Sequence, residues 1–185
     1  MLVVGLLGGA AAMGVYGLFT GTTQNTGNEL TSGTVSFTDN DNGAALYNAG
    51  NFKPGDTVTK CIKATYTGSL PATVRMYSAS SPGPLAQYLD LTITQGTTTS
   101  STFPDCTGFA ATGAGQLFTG TLQNFEQTRN TYATGLATAP GAGTTWSASN
   151  TLVYRVQATL QSTAPDTAQG TSSGVHTFTW EARSQ

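Results

Sequence analysis

The chain has 185 residues, of which only 9% are charged, against roughly 25% in an average soluble domain. A net charge of −2 with seven Lys plus Arg argues against a nucleic-acid surface and against electrostatic docking on anionic lipid, since both need clustered cations. The length suits one domain with a real core, and Gly, Ser, Thr and Asn in place of charge suit short strands joined by turns.

Residues Leu2 to Leu18 are almost wholly small or apolar. The run is short and Gly/Ala-rich for a transmembrane helix, and fits the apolar region of an export signal. Val15-Tyr16-Gly17 supplies the small-x-small pattern, which places cleavage after Gly17. Residues 1–17 are therefore read as a signal peptide, with no stable membrane span after cleavage. Neither Lys nor Arg precedes the apolar run, so the true start is expected upstream, or the start codon is misassigned. Residues 18–30 follow as an extended segment, uncharged until Glu29 and free of proline. Residues 31–185 are read as the folded domain.

Within that domain, Thr34 to Thr38 alternates, with Val35 and Phe37 inward. Asn51 to Asp56 is a turn, in which Pro54 presets φ and Gly55 accepts a positive φ. The strand Thr57 to Tyr66 puts Val58, Ile62, Ala64 and Tyr66 on one face and Thr59, Cys61, Lys63 and Thr65 on the other. Ala72 to Ser78 places Val74 and Met76 inward. Leu89, Leu91 and Ile93 alternate with polar residues. From Thr121 to Tyr132, Leu122, Phe125, Arg129 and Tyr132 recur at helical spacing, with Thr121 as cap and Gly135 beyond the end. Ala133 to Asn150, with its lone Trp146, reads as a loop. Leu152, Tyr154, Val156, Ala158 and Leu160 keep period two, and a final strand carries Phe178 and Trp180.

This pattern predicts an all-β, two-sheet β-sandwich of jelly-roll type, with one short helix and long loops; an immunoglobulin-like sandwich is the alternative. One core is expected from Val35, Phe37, Val58, Ile62, Val74, Met76, Leu91, Ile93, Tyr154, Val156, Phe178 and Trp180. Export implies an oxidising compartment, so Cys61 and Cys106 are expected to form a disulfide. Because Cys61 lies on the polar face of its strand, the bridge should cross the outside of the sandwich.

The stretch Asn51-Phe52-Lys53-Pro54-Gly55-Asp56-Thr57-Val58-Thr59-Lys60, followed by Gly68-Ser69-Leu70, resembles the secreted TasA/camelysin family, in which an N-x-K-P-G-D turn leads a strand ending in N-G-S-L. Ser32-Gly33-Thr34-Val35 resembles that family's S-G-T-L strand, and Phe178-Thr179-Trp180-Glu181-Ala182 its F-x-F-E-A closing strand. The apolar signal is similar to those cut by a SipW-like peptidase. These pieces cover under half of the chain. The resemblance implies a jelly roll, an extracellular location and, for the TasA branch, biofilm-matrix fibres joined by donor-strand exchange. The sequence departs from the family in having Thr20-Gly21 after Phe19, where many members place an Asp, in its cysteine pair, and in lacking a lysine-rich tail.

The camelysin branch is classed as metallo-endopeptidases, and a catalytic zinc takes three protein ligands, mostly His. This chain has one histidine, His176, and so no His-Glu-x-x-His helix. His176 shares parity with Phe178 and Trp180 and reads as a strand-end residue at the rim of the core. Asp39 and Asp41, in Asp39-Asn40-Asp41-Asn42-Gly43, resemble the opening of a calcium loop but equally suit a solvated turn. No catalytic residue and no cofactor is expected. The leading expectation is a secreted structural subunit that self-associates into filaments, with Leu18, Phe19 and Leu30 as anchors of the donor segment. A monomeric adhesin-like binding module and a camelysin-type endopeptidase are the alternatives.

Overall fold

The computed structural model describes residues 32–141 and 143–185. The proposed signal peptide and the assembly anchors Leu18, Phe19 and Leu30 lie outside the described residues. Gly33 to Gln185 forms one unit. In chain order its strands are β1 (Phe37–Asp39), β2 (Thr57–Tyr66), β3 (Ala72–Tyr77), β4 (Leu89–Thr97), β5 (Ala110–Thr121), β6 (Leu136–Thr138), β7 (Thr151–Leu160) and β8 (Thr179–Ser184). Among the described residues a single α-helix, α1 (Leu122–Thr128), follows β5, and short 3-10 turns occupy Pro84–Tyr88 and Asp166–Ala168.

Among the described residues the strands form a five-stranded sheet, β1-β2-β7-β4-β5, and a three-stranded sheet, β6-β3-β8. Every pairing is antiparallel. The chain crosses between sheets at β2–β3, β3–β4, β5–β6, β6–β7 and β7–β8, which is the alternation of a jelly roll. β7 lies at the centre of the larger sheet because it alternates most completely: Leu152, Tyr154, Val156, Ala158 and Leu160 are all buried. Of these, Leu152, Tyr154, Val156 and Leu160 meet Ile62, Ala64 and Tyr66 of β2, Leu89, Leu91 and Ile93 of β4, and Ala72, Val74 and Met76 of β3 in one core.

The Asn51–Asp56 turn forms as expected. Gly55 takes φ +92°, and the Lys53 carbonyl accepts the Asp56 N–H at 2.9 Å. The Asp56 carboxylate accepts the Lys53 N–H at 2.8 Å. The next N–H, that of Gly55, reaches the Leu160 carbonyl at 2.7 Å, which ties the turn to the end of β7.

Cys61 and Cys106 are disulfide-bonded. Cys61 points away from the core yet is only 3% exposed, because the connection between β4 and β5 folds back over it. In that connection the Pro104 carbonyl accepts the Cys61 N–H at 3.0 Å, and the Phe109 ring lies 4.5 Å from the Arg155 guanidinium. The bridge therefore covers the outer face of the sheet, as its strand parity requires.

Helix α1 is shorter than its sequence pattern. Thr121 caps it, its hydroxyl accepting the Asn124 N–H at 3.1 Å, and Leu122 and Phe125 are buried. Arg129 and Tyr132 fall beyond the last turn. The Arg129 guanidinium instead donates to the Thr134 carbonyl, and the Tyr132 hydroxyl pairs with that of Thr73. Thr121→Ala is expected to cost about 1 kcal/mol in denaturant unfolding, the usual value for losing a threonine cap; an unchanged midpoint would show that packing alone sets the helix start.

Three expectations are corrected. Val35 is 38% exposed and outside the core, because β1 begins only at Phe37. The segment from Ala133 to Asn150 is not simply a loop: it contains β6, and Trp146 is fully buried and bridges to Ala72. Val58 is half-buried and lines a cleft rather than the closed core. Phe37, Phe178 and Trp180 pack on the core without being fully enclosed.

Candidate functional site

The two sheets do not cover one another completely. Over β2 and the adjoining part of β7, two irregular segments, 41–52 and 172–178, stand in place of strands and enclose a cleft of about 680 Å³. Its floor is the inner face of the larger sheet: Val58, Ile62, Leu89 and Ala158. Phe178 and Trp180 form one end. An apolar concavity with a few convergent polar groups is the usual form of a binding site.

A single side-chain bond joins the two walls. The Tyr47 hydroxyl lies 2.5 Å from His176 Nε2, across 129 residues of sequence. The rings stack tilted at 5.4 Å, and His176 packs edge-on against Phe178 at 5.6 Å. Burial holds the imidazole below its ordinary pKa of 6.5, so the neutral ring prevails near pH 7 and Nε2 accepts the phenol proton. Nδ1 then carries the ring proton; it faces the Gly174 carbonyl without closing a well-formed hydrogen bond. Burial, and secondarily the charge of Glu126, push the Tyr47 hydroxyl far above its usual pKa.

Glu126 is the unusual group near this cleft. It sits on the buried face of α1 at 2% exposure, and neither carboxyl oxygen has a hydrogen-bond partner. Burial raises its pKa from 4.5 to about 7. A carboxyl group whose folded pKa is raised stabilises the fold fully below its unfolded pKa and loses that contribution as pH rises through the folded one. Unfolding midpoints should therefore fall as pH rises from 4.5 to about 7, and Glu126→Gln should remove that slope. A variant with the wild-type slope would place the titration elsewhere.

Asp39 and Asp41 serve the turn that leads into the cleft. Asp39 accepts the Asp41 N–H at 3.1 Å, and Asp41 accepts the Gly43 N–H at 2.6 Å. Asn42 and Gly43 take positive φ, as Asx-type turns allow. Between them, Asn40 caps the outer edge of β2 by accepting the Lys63 N–H at 2.9 Å. Among the described residues no three His, Cys, Asp or Glu side chains converge to hold a metal ion. His176 lies at the rim of the core, as expected, but in an irregular segment ahead of β8 and not on a strand. The disulfide consumes both thiols, which removes a cysteine nucleophile.

The cleft ends at the open side of β8. The Gln185 N–H donates to the Pro71 carbonyl, and with the β3–β8 register this directs the backbone groups of Thr179, Glu181 and Arg183 toward β3. Those of Trp180, Ala182 and Ser184 point outward, where no described strand pairs with them. Their side chains face inward, and Trp180 meets Tyr154 at 5.1 Å.

Sequence reasoning missed Tyr47 and Glu126. Tyr47 lies in a stretch with no periodicity. Glu126 carried a signal: it stands four residues after Leu122, on the same helical face as Phe125.

Compared with known proteins, the chain matches no family model and no curated protein.

Proposed function

We propose that this protein is a secreted structural subunit that assembles head to tail, the segment 18–30 of one copy pairing along β8 of the next. The observation that carries this reading is the unpaired outer edge of β8 beside a cleft with an apolar floor. An open edge recruits any suitable strand, and strand addition satisfies its backbone groups while side chains fill adjacent pockets. The other edges suit this less. β1 and β6 span three residues each. β5 is broken by register shifts opposite Ile93, Thr94 and Gly96, which bend and twist an edge out of pairing.

Leu18, Phe19 and Leu30 are the anchors we assign to the cleft. A contact between different surfaces of two copies does not close on itself, so it propagates into a filament. The disulfide agrees with an oxidising, extracellular setting, and among the described residues no helix is long and apolar enough to cross a membrane. The resemblance of the 51–60 turn and of the closing strand to TasA-type matrix proteins supports the same reading. The test is negative-stain microscopy of the mature protein with and without Leu18 to Asn28. Loss of fibres in the truncated form is expected; the same fibres at the same concentration would exclude this segment as donor.

The cleft itself favours a second reading, a monomeric secreted module that binds a ligand in an adhesin-like manner. Such a protein would stay monomeric at high concentration in sedimentation velocity and would lose ligand binding on Trp180→Ala.

A further inference from the structure

We propose that the cleft binds a short neutral oligosaccharide, with ring faces laid on the apolar floor and hydroxyls held by the two irregular walls. This deepens the ligand-binding reading above and rests on it; it requires no contact between copies.

The charge of the lining decides the first point. Among the described residues that line the cleft there is no Lys or Arg, and Asp41 is the only acid. Its carboxylate already accepts the Gly43 N–H at 2.6 Å. An anionic ligand would meet no cation there, and a cationic one would meet a single engaged carboxylate. Burying an unpaired charge costs far more than burying a neutral group. The ligand that fits is therefore neutral.

The lining also excludes a purely apolar ligand. Val58, Ile62, Leu89 and Ala158 make the floor apolar, and Phe178 and Trp180 close one end. The walls are different. Asn48 and Thr177 are exposed there. Ser172 Oγ accepts the Gly174 N–H at 3.1 Å, which leaves its O–H to donate. An acyl chain would cover these groups without giving them a partner, at a cost for each. A pyranose ring satisfies both surfaces: its C–H face packs on carbon, and the hydroxyls round its edge donate and accept. Such a division, with apolar area for contact and a few polar groups for orientation, is what small-molecule sites use.

An extended peptide fits the floor less well. The floor is the face of a sheet, and its backbone groups are spent in the β2–β7 and β4–β7 ladders. A strand lying on it would find side chains only and would leave its own N–H and C=O groups without a ladder. A strand added at the β8 edge would meet the cleft at its Phe178 and Trp180 end.

The site is also held open in advance. The Tyr47 hydroxyl and His176 Nε2, 2.5 Å apart, join the two walls. The Gly83 and Leu85 N–H groups donate to the Ser173 and Ser172 carbonyls at 2.8 and 3.0 Å, which fastens the 172–178 wall to the chain before the 3-10 turn. Asp39 and Asp41 fasten the start of the other wall. A preformed site avoids the cost of ordering loops when ligand arrives.

The test is a titration of the full mature chain, at a concentration where sedimentation shows monomer, with cellohexaose, maltohexaose and chitohexaose in turn. The two indole N–H signals are followed by proton–nitrogen NMR and assigned with Trp180→Phe. Trp180 lines the cleft, whereas Trp146 is buried elsewhere and bonded to the Thr138 carbonyl. At least one sugar should shift the Trp180 signal saturably at millimolar concentration and leave that of Trp146 in place. Asn48→Ala and Thr177→Val, both at exposed positions, should each weaken that sugar about tenfold, as expected for one lost hydrogen bond, with unchanged unfolding midpoints. If none of the sugars moves the Trp180 signal, the proposal is overturned. It is equally overturned if both wall variants bind as the parent does, or if a peptide of residues 18–30 moves the signal and no sugar does. The ligand-binding reading keeps its own criterion, a monomer at high concentration in sedimentation velocity, so it stands or fails apart from the sugar.

Discussion

Replacing Trp146 by alanine should lower the unfolding free energy by about 3–5 kcal/mol, the range for deleting a fully buried aromatic side chain. Trp146 is 0% exposed and joins the two sheets at one end of the sandwich. Its ring lies 5.1 Å from that of Phe37, on β1 of the larger sheet. Its backbone exchanges hydrogen bonds with Ala72 of β3 at 2.7 and 3.0 Å. Its indole N–H donates to the Thr138 carbonyl of β6 at 2.7 Å. The alanine variant loses the packing and leaves a buried carbonyl without this donor, and the cavity borders Tyr66 and β3, neither of which can collapse without breaking a ladder. Trp146→Phe separates the terms: it keeps most of the volume and should cost about 1–3 kcal/mol, the penalty for an unmet buried hydrogen bond. A loss below 1 kcal/mol for the alanine variant in urea melts would mean that residues 139–150 do not dock as described.

The second large effect is expected at the disulfide. Cys61 and Cys106 close a loop of 45 residues, and constraining that loop in the unfolded chain is worth about 4 kcal/mol in the chain-entropy model. The double replacement Cys61→Ala with Cys106→Ala should approach that loss. It should also loosen the β4–β5 connection, which holds Phe109 against Arg155. Thiol titration of the protein prepared without reductant should find no free sulfhydryl. Two titratable thiols, or a double variant as stable as the parent, would contradict the bridge or its energetic role.

Much of the sandwich was legible because its central strands alternate strictly. β2 and β7 each bury one parity and, Cys61 and Val153 apart, present polar residues on the other, so their bounds and inward faces follow from period two. The Pro54-Gly55 turn was legible because only certain residues accept its backbone angles. β5 was not legible. Ala110 to Thr121 is largely Ala, Gly and Thr, and its backbone takes positive φ at Gly113 and Gly115, so no apolar period survives. Its pairing is decided by β4, which supplies the side chains. Trp146 was read as part of a loop because a lone aromatic among Gly, Ala and Thr has no local pattern; its burial is fixed by residues far away in the chain. Val35 erred in the opposite direction, alternating well beyond the point where pairing begins. The cleft could not have been read from the sequence, since its walls are irregular segments more than a hundred residues apart.

Strand addition at β8 predicts a particular pattern at single backbone groups, and that pattern is the most direct test of the assembly reading. A synthetic peptide of residues 18–30 is added to the mature protein lacking Leu18 to Asn28, and backbone amide resonances are followed by NMR. The amides of Trp180, Ala182 and Ser184 point outward from β3; they should shift and become protected from exchange at one peptide per chain, while those of Thr179, Glu181 and Arg183, already bonded to β3, should change little. Ala182→Pro removes one outward N–H without touching the β3 ladder and should weaken peptide binding. Saturating peptide that leaves the outward amides of β8 unshifted and exchanging freely would contradict donor-strand assembly at this edge.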